Sequence, residues 1–155
     1  MKKFILLSIL ITALTTSAFA QAGDVEFVNN TQCHVFVVMV GDVSGTCGTG
    51  MNSISYIIQA GFSSIVTPPS FPASGFFGGG TEITGAFIYD GDQSVCMFSN
   101  PPVFIGEPCA TSNTTTPSYS VNMPNGSGGC VICGEIVATW TPAPTPGGTA
   151  ILTFN

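Results

Sequence analysis

Cys33-His34-Val35-Phe36-Val37-Val38-Met39-Val40 decides the fold of this chain. Half of its residues are valines, whose branched side chains are stiff at χ1 and pack best on a pleated strand. The run is too short for a typical buried helix and is apolar at both odd and even positions. Such a strand is either central in its sheet and covered on both faces, or it offers one face to a partner.

Working outward, the neighbouring segments repeat the same grammar. Asp24-Val25-Glu26-Phe27-Val28 alternates, placing Val25 and Phe27 on one face and both acids on the other. Ile54-Ser55-Tyr56-Ile57-Ile58 also alternates, and Ser63 to Thr67 forms a short run stopped by Pro68-Pro69. Glu82 to Tyr89 reads as a strand joined by the Asp90-Gly91-Asp92 turn to Ser94-Val95-Cys96-Met97-Phe98, a hairpin. Pro101 to Pro117 reads mostly as loop, Ser118 to Met123 as a strand, and Val131 to Trp140 as the longest late strand. Thr149-Ala150-Ile151-Leu152-Thr153-Phe154 closes the chain with Ala150, Leu152 and Phe154 inward. No sustained helical period appears. The pattern predicts an all-β, disulfide-stabilised, antiparallel β-sandwich of eight or nine strands, Ig-like or jelly-roll-like.

Charge narrows the function. Lys2 and Lys3 are the only basic side chains apart from His34, and they precede the apolar run Phe4 to Ile11 and the small-x-small site Ala18-Phe19-Ala20. Residues 1–20 therefore read as a secretory signal peptide cleaved after Ala20, leaving residues 21–155 as a single domain. All eight carboxylates, Asp24, Glu26, Asp42, Glu82, Asp90, Asp92, Glu107 and Glu135, lie beyond that site. The expected location is extracellular, at the cell surface or in a periplasm, with no membrane span after cleavage. Without Lys or Arg to neutralise phosphate, nucleic acid is not an expected partner, nor is an acidic membrane surface.

Six cysteines, Cys33, Cys47, Cys96, Cys109, Cys130 and Cys133, fit an oxidising compartment. Loop closure favours Cys33 with Cys47 and Cys96 with Cys109. Cys130-Val131-Ile132-Cys133 has the C-x-x-C spacing of a redox site, but a glycine-rich turn and β-branched residues replace the helix N-terminus that would lower a thiol pKa. Three positions apart on a strand, the two cysteines face opposite sides and bond different partners unless the turn folds Cys130 back. Structural disulfides are the expectation, without zinc or redox cofactor.

Other candidates are few. Asp90 and Asp92 offer oxygens for a Ca²⁺ ion, or simply favour a turn. His34, the sole histidine, lacks a catalytic partner at any recognisable spacing and reads as structural. Phe71, Phe76, Phe77 and Trp140 could stack on sugars, or Trp140 could cap the core. Asn29, Asn113 and Asn125 each begin an Asn-x-Ser/Thr triplet.

Three functions fit. The first is a secreted, non-enzymatic structural or adhesive protein that binds itself or other surface proteins. Its self-association should rise as the carboxylates protonate near about pH 4, or with Ca²⁺. The second is a small module for neutral glycans. The third and least favoured is a carboxylate-pair hydrolase, with Glu82 and Glu135 as acids to test.

Overall fold

The structure, a computed structural model, describes residues 22–43, 51–53, 55–67, 81–91, 96, 101–106, 115–116, 118–124 and 127–155. Residues 1–20, read from sequence as a signal peptide, together with Cys47, Cys109, Asp92, Phe71, Phe76, Phe77, Asn113, Asn125 and most of the segment read as the 90–98 hairpin, lie outside the described residues.

The described residues form strands and connections, with no helix. Ten strands have three residues or more, and one more has two. In chain order they are β1 (Asp24–Asn29), β2 (Val35–Val43), β3 (Met51–Asn52), β4 (Tyr56–Ile58), β5 (Ser63–Val66), β6 (Thr81–Tyr89), β7 (Val103–Gly106), β8 (Tyr119–Pro124), β9 (Cys130–Ile136), β10 (Ala138–Thr141) and β11 (Thr149–Phe154). Three sheets result: β10-β11-β1-β5, then β3-β2-β6-β7 with β4 also on β2, and the hairpin β8-β9.

The alternation of the terminal strands reads true. Val25 and Phe27 of β1 and Ala150, Leu152 and Phe154 of β11 are all buried. These two strands pair with each other, Val25 beside Ala150 and Phe27 beside Leu152, and they run parallel. That departs from the all-antiparallel expectation, although every other described ladder between strands is antiparallel.

β2 is central, between β6 on one side and β3 and β4 on the other. Val35, Val37 and Met39 enter the main core, while Phe36, Val38 and Val40 on the opposite face are buried as well. The strand is therefore covered twice, and its second face is not free for a partner. One buried cluster draws on all three sheets, including Phe27, Val37, Ile88, Ile136 and Trp140. The rings of Phe27 on β1 and Tyr56 on β4 stack at 5.8 Å, joining the two larger sheets.

Two elements were not legible. β7 forms inside the stretch read as loop, because Val103-Phe104-Ile105 follows Pro101-Pro102 closely and pairs with β6. Gly85 and Gly106 sit opposite each other there, and a Cβ on Gly85 would come within 2.5 Å of the Ile105 carbonyl oxygen. The long late strand is instead two, divided at Val137. β9 pairs with β8, while β10 pairs with β11 in another sheet.

The preferred local disulfides are also corrected. Cys33 bonds Cys133 and Cys96 bonds Cys130, links across 100 and 34 residues. Sheet topology brings distant residues together and overrides the short-loop preference. Both halves of the C-x-x-C thus carry structural bonds, each to a different part of the chain. Disulfides of this kind fit an oxidising, extracellular environment. No helix among the described residues is long and apolar enough to cross a membrane, which leaves β-barrel spans unaddressed.

Candidate functional site

Two features stand apart from the core: a cleft beneath the β8-β9 hairpin, and the outer strand of that hairpin.

The hairpin is positioned by covalent and hydrogen bonds together. Asn122 on β8 donates its backbone N–H to the Asp90 carbonyl at the end of β6, at 2.6 Å. The Cys96–Cys130 bond ties the start of β9 to the chain just beyond β6, and Cys133–Cys33 ties its middle to the loop after β1. The hairpin therefore sits against the end of β6, enclosing a cleft of about 410 Å³. Ile88 and Asp90 of the β6 end, Pro101 and Val103 of β7, Ser118 to Ser120 at the start of β8, and Glu135 of β9 line it.

Within the cleft, Asp90 is only 4 % exposed, whereas Glu135 is exposed and accepts a 2.9 Å hydrogen bond from the Ser118 hydroxyl. The Tyr119 hydroxyl oxygen is buried and has no hydrogen-bond partner. Burial first, and the nearby Asp90 carboxylate second, push the Tyr119 phenol well above its ordinary value of 10.0. Both causes disfavour the phenolate. Because the folded-state value is raised, Tyr119 contributes stability below about pH 10 that is lost as the pH climbs further. Spectrophotometric titration at alkaline pH should show Tyr119 ionising only as the chain unfolds, and Tyr119→Phe should remove that step. Ionisation of Tyr119 in the folded chain near pH 10 would contradict its placement.

Several residues singled out from sequence fall elsewhere. Trp140 is 1 % exposed in the core, so its ring cannot stack on a sugar, and its indole Nε1 is buried without a hydrogen-bond partner. Asp90 is a buried cleft residue, and no group of three or more His, Cys, Asp or Glu among the described residues is placed to hold a metal. His34 accepts a 3.2 Å hydrogen bond at Nδ1 from the Ala60 backbone, tying β2's entry to the turn before β5. Glu82 lies at the opposite end of β6 from Asp90 and is not in the cleft with Glu135. The other acid among the residues lining the cleft with Glu135 is Asp90. Asn29 is 1 % exposed and its amide is fully engaged in backbone bonds, which removes it as a glycan acceptor in the folded chain.

Tyr119 and Ser118 carried no signal in the sequence. Long-range contacts, the Cys96–Cys130 bond and the Asn122 to Asp90 backbone hydrogen bond among them, bring their strand onto the end of β6. Chemically, the described cleft offers carboxylates, hydroxyls and an aliphatic wall. It holds no histidine, lysine or arginine, so no Ser-His-acid relay can form there.

The outer strand is the second feature. β9 pairs with β8 alone among the described strands. Its Val131 and Ile132 are 49 % and 68 % exposed, and they lie between the two disulfide anchors at Cys130 and Cys133.

Neither the family models, the curated proteins nor the solved structures compared with this chain match it, so the functional argument rests on its own residues.

Proposed function

We propose that residues 21–155 are a secreted, non-enzymatic structural or adhesive domain, acting outside the cytoplasm and associating through the β9 edge. In this reading the two larger sheets face each other as a β-sandwich, and the hairpin is bolted onto its side. The partner is a second copy of the chain or another surface protein.

The presentation of Val131 and Ile132 carries the proposal. Two consecutive aliphatic residues are exposed on a strand that two disulfides hold in place. An open strand edge carries unpaired N–H and C=O groups that another strand can satisfy. Proteins commonly block such edges with lysine, and the mature chain has none. Residues 127–134 of this segment carry no acid either, so the eight carboxylates repel a neighbour less here than at the acidic strands.

Burial of both side chains contributes about 3 kcal/mol, on the order of a hundredfold in Kd. Sedimentation velocity of mature protein bearing Val131→Ser and Ile132→Ser should therefore show association weakened by that factor. Unchanged association in this double variant would remove β9 as the contact surface.

A further inference from the structure

We infer that this chain is a substrate of a thiol–disulfide isomerase, which it meets through a mixed disulfide before its native bonds are reached. That partner acts while the domain assembles and is separate from whatever meets the β9 edge. The need for it rests on the oxidising compartment alone.

Three observations converge on that chemistry. First, the native bonds are nested: Cys33–Cys133 spans 100 residues and encloses Cys96–Cys130, which spans 34. Each passes over a nearer cysteine. Cys47 stands 14 positions from Cys33, Cys109 stands 13 from Cys96, and Cys130 stands 3 from Cys133. Closure of a flexible loop falls as roughly the three-halves power of its length, so Cys33 of the unfolded chain meets Cys47 about twentyfold more often than Cys133. A chain exported from its amino end also presents Cys33 and Cys96 before Cys130 and Cys133 appear.

Second, the structure that aligns the correct sulfurs forms with the bonds rather than ahead of them. β9 pairs with β8 alone among the described strands. The hairpin reaches its seat on β6 through the Cys96–Cys130 bond itself and the Asn122 to Asp90 backbone hydrogen bond. Third, each native bond keeps one cysteine buried, Cys33 at 3 % and Cys96 at 1 % exposure. A thiolate in solution therefore attacks misplaced bonds of the open chain much faster than these, and exchange comes to rest at the native pairs.

The exchange closes without net oxidation, starting from the pairs in order of emergence, Cys33–Cys96 and Cys130–Cys133. The isomerase thiolate attacks the Cys96 sulfur, the bond to Cys33 breaks, and Cys33 leaves as a thiolate. Cys33 then attacks Cys133, making the first native bond and releasing Cys130 as a thiolate. Cys130 attacks the mixed disulfide at Cys96, making the second native bond and returning the isomerase thiolate. Two bonds enter and two leave. The partner accordingly carries a thiol of lowered pKa and a surface for apolar unfolded chain such as Val35 to Val40.

The test is refolding of the mature chain, reduced and unfolded in guanidinium chloride, at neutral pH. Its arms are diamide alone, mixed reduced and oxidised glutathione, and that mixture with a protein disulfide isomerase. Peptide mapping without reduction counts chains that hold both Cys33–Cys133 and Cys96–Cys130. Diamide alone should leave fewer than about one chain in fifteen with both, the share that random pairing of six cysteines gives. Glutathione should recover most chains, and the isomerase should speed that recovery about tenfold. Mapping reads bonds and not oligomeric state, so the result is independent of association through β9. Both bonds in most chains with diamide alone, or no gain in yield or rate from the isomerase, would overturn the inference.

Discussion

Replacing Asn29 with aspartate should destabilise the domain by about 4 kcal/mol or more, a large part of the roughly 5–15 kcal/mol that holds an ordinary domain together. Asn29 ends β1 with its side chain buried. Its Nδ2 donates to the carbonyls of Cys33, Ile58 and Gln59 at 2.8, 3.3 and 3.0 Å. Its Oδ1 accepts from the Thr31 backbone N–H at 3.0 Å and the Thr31 hydroxyl at 2.7 Å. One amide thus ties the end of β1 to the approach to β2 and to the β4–β5 connection. Aspartate keeps the shape but removes the donor and turns a buried negative charge toward three carbonyl oxygens. Asn29→Ala loses the same bonds without adding the charge and should cost about 3 kcal/mol. Urea denaturation of the three proteins checks the order. A smaller loss in the aspartate variant than in the alanine variant would show that the donor role is misassigned.

The second large effect concerns the link from Cys33 to Cys133. Changing both to serine should cost about 4 kcal/mol on the loop-entropy model, in which the cross-link restricts the unfolded chain. The link spans 100 residues, shortened in effect by the nested bond from Cys96 to Cys130. Beyond stability, the change frees the middle of β9 from the loop after β1. Hydrogen exchange in the double serine variant should therefore rise first along β8 and β9, before β1 and β11. Peptide mapping of the unreduced wild type should recover Cys33 with Cys133. Recovery of Cys33 with Cys47 would contradict the topology directly.

What the sequence made legible was local. Alternation in Asp24 to Val28 and Thr149 to Phe154 placed Val25, Phe27, Leu152 and Phe154 inward, and the doubly apolar β2 is central in its sheet. These readings depend on period two alone. The direction of β11 beside β1, the break at Val137 and the emergence of β7 depend on which strand lies alongside, which no local pattern encodes. The cleft was obscure for the same reason. Asp90 and Glu135 are 45 positions apart, and only the hairpin's seat on β6 brings them to one space. Trp140 shows the converse: its type suits a sugar platform, but its place on β10, opposite Leu152 in the core, decides otherwise.

A chain with eight carboxylates and no lysine or arginine after Lys3 meets other molecules in only a few ways. Its exposed, disulfide-anchored Val131 and Ile132 suit a strand or an aliphatic surface.

The most direct measurement is sedimentation velocity of the mature wild-type chain over a wide concentration range, beside Ile132→Lys and the control Ile57→Lys on β4. The account predicts concentration-dependent association in the wild type and the control, and a monomer for Ile132→Lys. A wild type that stays monomeric at every concentration, from neutral pH down to about pH 4, would contradict it.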